Sequence, residues 1–371
     1  MAWPRRSAPA AEPAPERAAV KIAVLGVGLI GGSIGLAARE QLGDAEVVGF
    51  GRSPERLERA LELGAIGRAA TSLDDALNGA GACFCCAPVG ALGAQVAAAL
   101  HAAPPACVVS DVGSVKRSLV ASISDERFVG GHPVAGAETA GVEHARADLF
   151  QGAVWYLTPT SESSGLLYER LHRLVTAFGA RPVAVEAGAH DRLLATVSHL
   201  PHVLANVLVA QAAAHAEIPR VGPSFRDATR VAGANSAIWT DIYMANREAI
   251  ADEIDSTVAR LVAVAADLRA ADPETLTRWN DIAHSQHAQL LRSEASGGRV
   301  YELAVTVPNR PGIVAEVALE LGRAGVNIVD LALAPAPDMR TGAITLFVEG
   351  EHDAGRAREL IRALGFPVDQ S

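Results

Sequence analysis

Apolar runs and helical patterns alternate along the first half of the chain. The apolar runs are short, and glycine-rich or polar turns bound them; they cover residues 22–25, 46–50, 83–87 and 107–110. Helical patterns begin between them, one near Ile30 and another near Pro54. Strands that alternate with helices are typical of a parallel, doubly wound α/β sheet. We therefore expect such a domain over residues 20–187, with further short strands near Phe128 and Val154.

The hydrophobic pattern changes after residue 187. Apolar residues then recur at steps of three and four, first at Leu193, Val197, Leu200, Leu204 and Val207 and later at Ile250, Ile254, Val258 and Leu261. This spacing indicates long helices with one buried face. We expect an all-helical domain over residues 188–294, whose apolar stripes are covered by each other, by the first domain or by a second subunit.

The last part of the chain begins after a polar, glycine-containing linker at residues 293–299. Residues 299–371 show the order strand, helix, strand, strand, helix, which is one strand short of a ferredoxin-like α+β unit. Only Phe366 to Ser371 remain to form a fourth strand. At the other end, residues 1–19 hold four prolines among Ala, Arg and Glu, and we expect a disordered tail there.

Composition narrows the class of protein. The 371 residues carry 32 Lys and Arg against 42 Asp and Glu, a net charge of −10, which disfavours nucleic acid and anionic membranes as partners. The four cysteines are too few for a disulfide scaffold and lack the spacing of a zinc site, so no metal is expected. No uninterrupted apolar run reaches the roughly 18–20 residues of a membrane helix. These features predict a cytoplasmic protein.

The glycine-dense turn carries the first chemical signal. Residues 26–31 read G-x-G-x-x-G between a predicted strand and a predicted helix, the Rossmann dinucleotide pattern, with Gly26, Gly28, Leu29, Ile30 and Gly31 at the phosphates. Where NAD enzymes carry a ribose-binding carboxylate, the chain has Gly51, followed by Arg52 and Ser53. These two residues suit a 2′-phosphate, so we expect NADP use beside NAD. Alternatively, Arg52 is an ordinary solvated side chain.

Four polar clusters interrupt the apolar sequence. They read D-x-G-S-x-K at 111–116, G-G-H-P-x-A-G at 130–136, S-H-L-P-H at 198–202 and F-R-D-x-T-R at 225–230. In this order the clusters closely resemble the prephenate and arrogate dehydrogenase family of tyrosine biosynthesis, over residues 21–291. The resemblance implies an oxidative decarboxylation, in which a cyclohexadienyl ring gives a hydride to the nicotinamide, loses a hydroxyl proton and releases its carboxylate as carbon dioxide.

The resemblance implies roles for three residues in particular. His132 stands at the position of the proton acceptor, and Ser114 at that of a hydroxyl that hydrogen-bonds the substrate and this histidine. Arg230 stands at the position of the arginine that binds the ring carboxylate. Each has a structural alternative: a loop histidine before proline, a cap for a helix starting at Val115, and a salt bridge to Asp227.

Further positions match the family less directly. His202, with Ser198 four residues earlier, is typical of enzymes that use prephenate, since an imidazole donor suits a keto group better than the ammonium of arrogate. Alternatively His202 or His199 packs at a helix bend made by Pro201. Arg226 lies one helical turn before Arg230 and is expected to support it or to contact the side-chain carboxylate of the substrate. Glu138, Asp191 and Trp239 also fall near the implied active site, with gating, capping or core roles as alternatives.

The C-terminal unit resembles an ACT domain over residues 301–366. The resemblance implies an amino-acid site at Asn309, Pro311 and Gly312 in the first turn and at Asn327 and Ile328 in the second strand, with tyrosine as the expected effector. A short fourth strand would weaken this site, so a purely dimerising module remains the alternative.

These observations together predict a cytoplasmic, homodimeric NAD(P)-dependent prephenate dehydrogenase-type enzyme with Rossmann, helical and ACT domains. Arrogate or dual specificity is the nearest alternative. A β-hydroxyacid dehydrogenase would need a lysine in the helical region, and residues 187–291 contain none. A non-catalytic amino-acid sensor built on a Rossmann scaffold is the alternative from another class.

Overall fold

The computed structural model describes residues 20–136, 139–215, 221–293, 300–335 and 341–370. The expected tail at residues 1–19, most of the linker at 293–299 and Glu138 lie outside these ranges. A parallel five-stranded sheet forms the N-terminal part in the order β3-β2-β1-β4-β5. Its strands are β1 Lys21–Leu25, β2 Glu46–Phe50, β3 Arg68–Ala69, β4 Ala82–Cys85 and β5 Val108–Asp111. Its helices are α1 Leu29–Gln41, α2 Pro54–Glu62, α3 Leu73–Leu77, α4 Val89–Ala102 and α5 Arg117–Ala121.

A second, three-stranded sheet continues from this unit. It consists of β6 Gly130–Pro133, β7 Val154–Thr158 and β8 Arg181–Ala184 in that order, with α6 Gly165–Ala177 before β8. A 3₁₀ turn covers Val142–His144. Strand β6 runs antiparallel to β7, and β7 runs parallel to β8. The predicted strand near Phe128 therefore begins at Gly130, with only a single bridge between Phe128 and Val109 before it.

The helical region follows, as the three- and four-residue spacing predicts. Its elements are α7 Ala187–Leu194, a π-helical turn at Ala195–His199, α8 Leu200–Ala213, α9 Pro223–Thr229, a 3₁₀ turn at Arg230–Gly233, α10 Ser236–Ala245, α11 Arg247–Ala270 and α12 Pro273–Ser293. By length and composition alone, the continuous stretch Ala187–Ala213 passes for a membrane-spanning helix, although it carries Asp191 and Arg192.

The predicted apolar stripes are not buried within the chain. Leu200 and Ile250 are buried, but Val197 is 60% exposed, Val207 54% and Leu261 57%. Of the three expected covers, the other helices and the first domain therefore bury only a few of these residues within one chain. Exposed apolar side chains in neighbouring helices leave this surface without cover from the described residues.

The C-terminal unit is a four-stranded antiparallel sheet with two helices. It contains β9 Val300–Pro308, α13 Ile313–Arg323, β10 Ile328–Pro335, β11 Thr341–Glu349, α14 Glu351–Ala363 and β12 Val368–Gln370. The strand order is β10-β11-β9-β12. The doubtful fourth strand is present, because the last residues pair with β9 through Val368 and Val305. The α/β, helical and ferredoxin-like fold class is confirmed.

The C-terminal unit packs on α6 and β8 of the same chain. The backbones meet closely: a Cβ at Gly322 would lie 1.9 Å from the Ala184 carbonyl oxygen. His172 of α6 is 1% exposed, and its Nε2 lies 3.2 Å from the Ile328 carbonyl oxygen. Burial lowers the pKa of His172 to about 4. In the same interface, Arg173 pairs with Glu169 at 2.8 Å.

A buried ion pair joins the two N-terminal sheets. Asp111 ends β5 and pairs with Lys116, and neither side chain is exposed to solvent. The same carboxylate accepts backbone hydrogen bonds from Gly113 at 2.8 Å and from Gly131 of β6 at 3.1 Å. The pair therefore closes the loop 111–116 and fastens it to the strand that carries His132.

Replacing Lys116 by Met should destabilise the protein strongly, because the Asp111 charge would remain buried without its partner. Removing one member of a buried pair lowers the free energy of unfolding by about 3–5 kcal/mol. The exposed pair between Arg59 and Glu62, at 2.7 Å, supplies the control. Arg59→Met should change the stability little. Urea unfolding followed by circular dichroism measures both; equal stabilities for the two variants would contradict this role of the ion pair.

Candidate active site

The glycine turn between β1 and α1 has the geometry that dinucleotide binding needs. Gly26 has φ +101°, which favours glycine, and a Cβ at Gly31 would lie 2.2 Å from the Gly26 carbonyl oxygen. A Cβ at Gly28 would meet nothing within 4 Å. Helix α1 begins at Leu29, followed by Ile30. It has no side-chain cap at Gly28 and no acidic residue in its first turn. Its amides are thus available to an anion, and the turn fits a pyrophosphate.

The residues after β2 differ in what they offer a ribose. Arg52 is exposed. Ser53 instead caps α2, because its hydroxyl accepts from the Arg56 amide at 3.3 Å and donates to the Glu55 carboxylate at 2.7 Å. The Ser53 hydroxyl lowers the pKa of Glu55. Of the two predicted phosphate ligands, only Arg52 is directed to solvent. The carboxylate of Glu55 lies beside Ser53.

His132 lies in β6 at the carboxyl edge of β5 and is 9% exposed. Its Nδ1 lies 2.9 Å from Nε2 of His190, and Nδ1 of His190 lies 2.8 Å from Oδ1 of Asp191. Burial, reinforced by the neighbouring charges of His190, Lys116 and His199, lowers the pKa of His132 well below its ordinary value. The imidazole is therefore neutral at neutral pH and able to accept a proton.

Asp191 caps a helix from a distant part of the chain. Its carboxylate accepts hydrogen bonds from the backbone amides of Lys116, at 2.8 Å, and Arg117, at 2.9 Å, at the start of α5. Helix α5 begins at Arg117, so the alternative in which Ser114 caps a helix starting at Val115 is wrong. Ser114 is half-buried in the loop that the Asp111–Lys116 pair closes.

A second cluster surrounds His202. The ring stacks on Trp239, with centroids 3.5 Å apart and planes at 14°. Its Nδ1 lies 2.5 Å from the Tyr243 hydroxyl and 3.3 Å from the Asn206 amide nitrogen. These donors make Nδ1 an acceptor and leave the proton on Nε2, which is buried and meets the Val231 backbone without a hydrogen bond of regular geometry. Burial lowers the pKa of His202.

The two clusters are joined through Asn246, at the start of α11. Its amide nitrogen lies 2.8 Å from the Asp191 carbonyl oxygen and 3.2 Å from Nδ1 of His199. His199 in turn meets the edge of Trp239 at a centroid distance of 6.0 Å, and burial lowers its pKa to about 4. The structure thus brings His132, Asp191, His202 and Trp239 into one connected polar region.

The S-H-L-P-H segment does not continue α7 as a regular helix. Residues 195–199 form a π-helical turn, closed by a bond from the Leu200 amide to the Ala195 carbonyl. Pro201, which has no amide hydrogen, follows directly. Single π turns occur frequently at functional sites. Because of this turn, the four-residue spacing of Ser198 and His202 does not follow the α-helical rule on which their common face was predicted.

Two predicted arginines lie on the surface of the helical region. Arg226 in α9 and Arg230 in the following 3₁₀ turn are exposed, and that turn packs against α8. Arg226 donates a hydrogen bond to the Val221 carbonyl at 3.3 Å.

Three functional neighbours were not predicted from the sequence: His190, Tyr243 and Asn246. His190 could have been found from the sequence, because it directly precedes Asp191, which was selected by its resemblance to a family motif. Tyr243 follows Trp239 by one helical turn of α10 and could have been found in the same way. Asn246 reaches the site only through the packing of α11 on the π turn, which no local pattern indicates.

Three of the four cysteines are buried, and Cys86 is partly buried. Burial raises the pKa of the Cys86 thiol well above its ordinary value, and raises that of Cys107 to about 12. Across the described ranges, no group of three His, Cys, Asp or Glu side chains is arranged to hold a metal ion.

The predicted effector residues lie where the C-terminal unit meets the rest of the chain. Asn309 and Pro311 are exposed, whereas Gly312 has φ +78°, and a Cβ there would lie 2.2 Å from the Ser161 carbonyl oxygen. The Asn327 side-chain oxygen is buried and has no hydrogen-bond partner within the described residues. The Ile328 carbonyl already meets His172.

Comparison with known protein families places each part of this architecture. Residues 34–184 match the prephenate dehydrogenase nucleotide-binding domain, residues 186–281 match the prephenate dehydrogenase dimerization domain, and residues 301–366 match the ACT domain. The matches follow the three structural units in order. The two prephenate dehydrogenase domains together contain every residue of the connected polar region.

Individual relatives agree with the domain matches. Prephenate dehydrogenase from Bacillus subtilis is 30% identical over 356 residues, covering 92% of this chain and 95% of that protein. The crystal structure of Aquifex aeolicus prephenate dehydrogenase with hydroxyphenyl propionate and NAD⁺ has a TM-score of 0.67 at 28% identity, over 72% of this chain and 98% of that one.

A third similar structure is arogenate dehydrogenase from Synechocystis, with a TM-score of 0.65 at 25% identity over 73% of this chain and all of that one. The fold is therefore shared by enzymes named for two related substrates. From the near-complete alignment with the Bacillus protein and the ordered domain matches, we conclude that this chain belongs to the prephenate dehydrogenase family.

Proposed function

We propose that this chain oxidatively decarboxylates prephenate to 4-hydroxyphenylpyruvate, with hydride transfer to NAD⁺ or NADP⁺, in tyrosine biosynthesis. The observation that carries the proposal is the buried His132, held at the edge of a sheet whose β1–α1 turn has the glycines and the uncapped helix start of a dinucleotide site. Family membership supplies the reaction class. The nicotinamide, when bound, accepts the hydride; the remaining steps belong to side chains of this chain.

His132 is the proton acceptor in this proposal. Its lowered pKa keeps the ring neutral at neutral pH, so that it can take the proton of the ring C4 hydroxyl as hydride leaves the same carbon. Ser114, on the adjoining loop, is the residue that binds this hydroxyl in the proposal. The substrate carboxylate must stay ionised until carbon dioxide departs, and Arg230 provides a permanently charged, planar group for it, with Arg226 in support.

Asp191 acts in this proposal through His190, and Trp239 forms a wall against His202. Glu138 stays a prediction outside the described residues. In these assignments, the neutral imidazoles inside the polar region accept protons and form hydrogen bonds. The exposed guanidinium groups at its periphery bind carboxylates.

Replacing His132 by Asn should lower kcat for prephenate by about 10²–10⁴-fold, because a general base contributes that much. KM should change little. The measurement is the initial rate of nicotinamide reduction with prephenate or arrogate, with NAD or NADP, and with or without tyrosine. His101→Asn on the exposed end of α4 is the matched control and should retain full turnover. Full turnover in His132→Asn would remove the residue from this role and favour another base, whereas no turnover of the unmodified protein with any substrate and cofactor would favour the amino-acid sensor.

Prephenate is favoured over arrogate by the hydrogen-bonding state of His202. With Tyr243 and Asn206 against Nδ1, the neutral ring offers an N–H donor at Nε2. A keto oxygen accepts such a bond, whereas the ammonium group of arrogate is itself a donor. Prephenate is therefore preferred, because its keto oxygen pairs with the buried Nε2 donor and the ammonium group of arrogate leaves this donor unpaired.

His202→Leu should lower kcat/KM for prephenate by about 10–100-fold, as loss of one buried hydrogen bond would. Turnover of arrogate should change by less than about threefold on the same argument. Tyr243→Phe, which keeps the ring but removes one constraint on Nδ1, should have a smaller effect. Equal losses for both substrates would instead indicate a packing role for His202.

Both nicotinamide cofactors are proposed as substrates. Gly51 lacks the carboxylate that would repel a 2′-phosphate, and Arg52 is exposed to meet one. Glu55 lies beside Ser53 and provides oxygen acceptors for unmodified ribose hydroxyls. NAD and NADP should therefore both support turnover in the assay described above.

Tyrosine is proposed as a feedback effector at the ACT unit. The buried Asn327 oxygen, which has no hydrogen-bond partner among the described residues, offers an acceptor for an α-amino group. The turn with Asn309, Pro311 and Gly312, at the other end of α13, is the second predicted part of the site. The strand carbonyl of Ile328 faces α6, so a ligand here would lie near the contact with the nucleotide-binding domain. A fall in rate with added tyrosine supports regulation; an unchanged rate supports a module that only assembles subunits.

A homodimer is proposed from the uncovered apolar surface of the helical region. Val197, Val207 and Leu261 are more than half exposed in the single chain, which is unusual for a soluble monomer. The match to a dimerization domain supports a second copy as the cover. With this surface buried, the cytoplasm remains the expected location.

Leu261→Asp should dissociate the dimer, because a carboxylate would be buried in an apolar interface. Light scattering after size exclusion should then give a mass near 38.4 kDa in place of twice that value. Leu166→Asp, at a side chain 63% exposed on α6, is the control and should leave the dimer intact. If both variants stay dimeric, the interface lies elsewhere.

A further inference from the structure

We propose that His190 is a positioning residue that holds His132 in the tautomer with the proton on Nδ1, and that Asp191 in turn fixes His190. The inference rests on the proposed role of His132 as the proton acceptor. It adds a buried Asp–His–His chain whose purpose is to keep the Nε2 lone pair of His132 free for the substrate.

The geometry of the chain is specific. The two imidazole rings meet edge to face, with centroids 5.1 Å apart and planes at 76°, so a nitrogen of each ring points at the other. The nitrogens His132 Nδ1 and His190 Nε2 are 2.9 Å apart. His190 is fully buried and Asp191 is 3% exposed, so water does not compete for these bonds.

The direction of every bond follows from Asp191. An ionised carboxylate only accepts, and this one already accepts from the Lys116 and Arg117 amides. His190 Nδ1 must therefore be a donor toward Asp191. A neutral imidazole has one donor and one acceptor, so His190 Nε2 accepts, and His132 must donate through Nδ1. The unprotonated nitrogen of His132 is then Nε2.

The arrangement also serves the charged state that the reaction creates. When His132 Nε2 takes the C4 hydroxyl proton, the ring becomes an imidazolium whose Nδ1 proton still binds His190. No proton needs to reach Asp191, because the carboxylate stabilises the charge through the intervening ring. This is the logic by which an aspartate orients a catalytic histidine in a hydrolase triad, with one additional ring between them.

Other groups around the two rings do not compete for these nitrogens. The ammonium of Lys116 is paired with Asp111, and His199 is held by Asn246. The ring of Tyr156 meets His190 edge-on at 5.5 Å. The charged or titratable groups near His132 are thus His190, Lys116, Asp111, Asp191 and His199. Among these described groups only His190 contacts a ring nitrogen of His132, and Asp191 contacts His190 in turn.

Asp191→Ala is the first test, because it removes the acceptor that fixes the direction of the chain. Each Asp191 oxygen accepts from one α5 amide, and Oδ1 also accepts from His190. Without this carboxylate, His190 Nδ1 is no longer held as a donor, so the proton of His190 can move to Nε2 and that of His132 to its own Nε2, which blocks the acceptor. We expect kcat to fall about 10²–10⁴-fold with a nearly constant KM, since the general base is lost.

The tautomer itself is the readout that a merely structural role would not move. Nitrogen-15 NMR of histidine-labelled protein, with the His132 signal assigned by its loss in His132→Asn, should show the Nδ1–H form in the unmodified protein. Asp191→Ala should shift His132 toward the Nε2–H form. The kcat profile against pH should lose its acid limb in the same variant, because His132 then no longer acts as the base.

A second pair of variants keeps the proposal testable if Asp191→Ala folds poorly. His190→Gln retains an oxygen that can accept from His132 Nδ1, whereas His190→Leu retains the approximate volume without an acceptor. We expect Gln to keep kcat within about tenfold of the unmodified protein and Leu to lose about 10²-fold or more. His101→Gln, on the exposed end of α4, is the control.

The outcomes separate this inference from the proposed function. Full turnover in His132→Asn would overturn the catalytic role itself. An inactive His132→Asn combined with equal activities in His190→Gln and His190→Leu would overturn only the positioning role. A His132 tautomer unchanged by Asp191→Ala would overturn it as well.

Discussion

The buried pairing of Asp111 with Lys116 is the interaction on which the site depends. It closes the loop after β5, and the same carboxylate accepts from the Gly131 amide next to His132. The backbone amide of Lys116 meanwhile donates to Asp191 from the start of the helical region. One six-residue loop thus touches the strand that carries the proposed base and the helix that orients it. Two elements that are far apart in sequence are held in register through it.

The interior of the site holds polar groups in states that burial enforces. His132, His199 and His202 all have lowered pKa values because charged imidazoles are costly away from water. Each neutral ring has one donor and one acceptor nitrogen. Neighbouring Asp, Asn and Tyr side chains determine which of the two nitrogens carries the proton. The permanently charged Arg226 and Arg230 lie outside this interior, where a bound carboxylate does not have to be fully desolvated.

Much of the fold and the general place of the site could be predicted from the sequence. The glycine turn, the alternation of strands and helices and the helical middle depend on local patterns, and they are confirmed. The fourth ACT strand was missed because three residues carry almost no periodic signal; its pairing with β9 is decided by tertiary contact. The cover of the apolar stripe stayed open among three surfaces, because periodicity reports which face is apolar and not what covers it.

The site residues show the same limit. His132 and Asp191 were found through motifs, but the bond network around them joins residues 58 and 75 positions apart, which spacing does not reveal. The cap of α5 was sought in Ser114 because local sequence favours nearby caps. The structure uses a carboxylate from another domain, and the helix start shifts accordingly to Arg117.

The docking of the ACT unit on α6 has a consequence for the order in which the protein is made. Synthesis runs from the N-terminus, so the nucleotide-binding domain emerges before the residues that cover His172 and Glu169. Until then these two side chains face water, where a titratable imidazole and a carboxylate keep the unfinished surface soluble. After docking, His172 is 1% exposed and binds the Ile328 carbonyl. The face of α6 that is buried in the finished protein is thus polar enough to be exposed to solvent on the nascent chain.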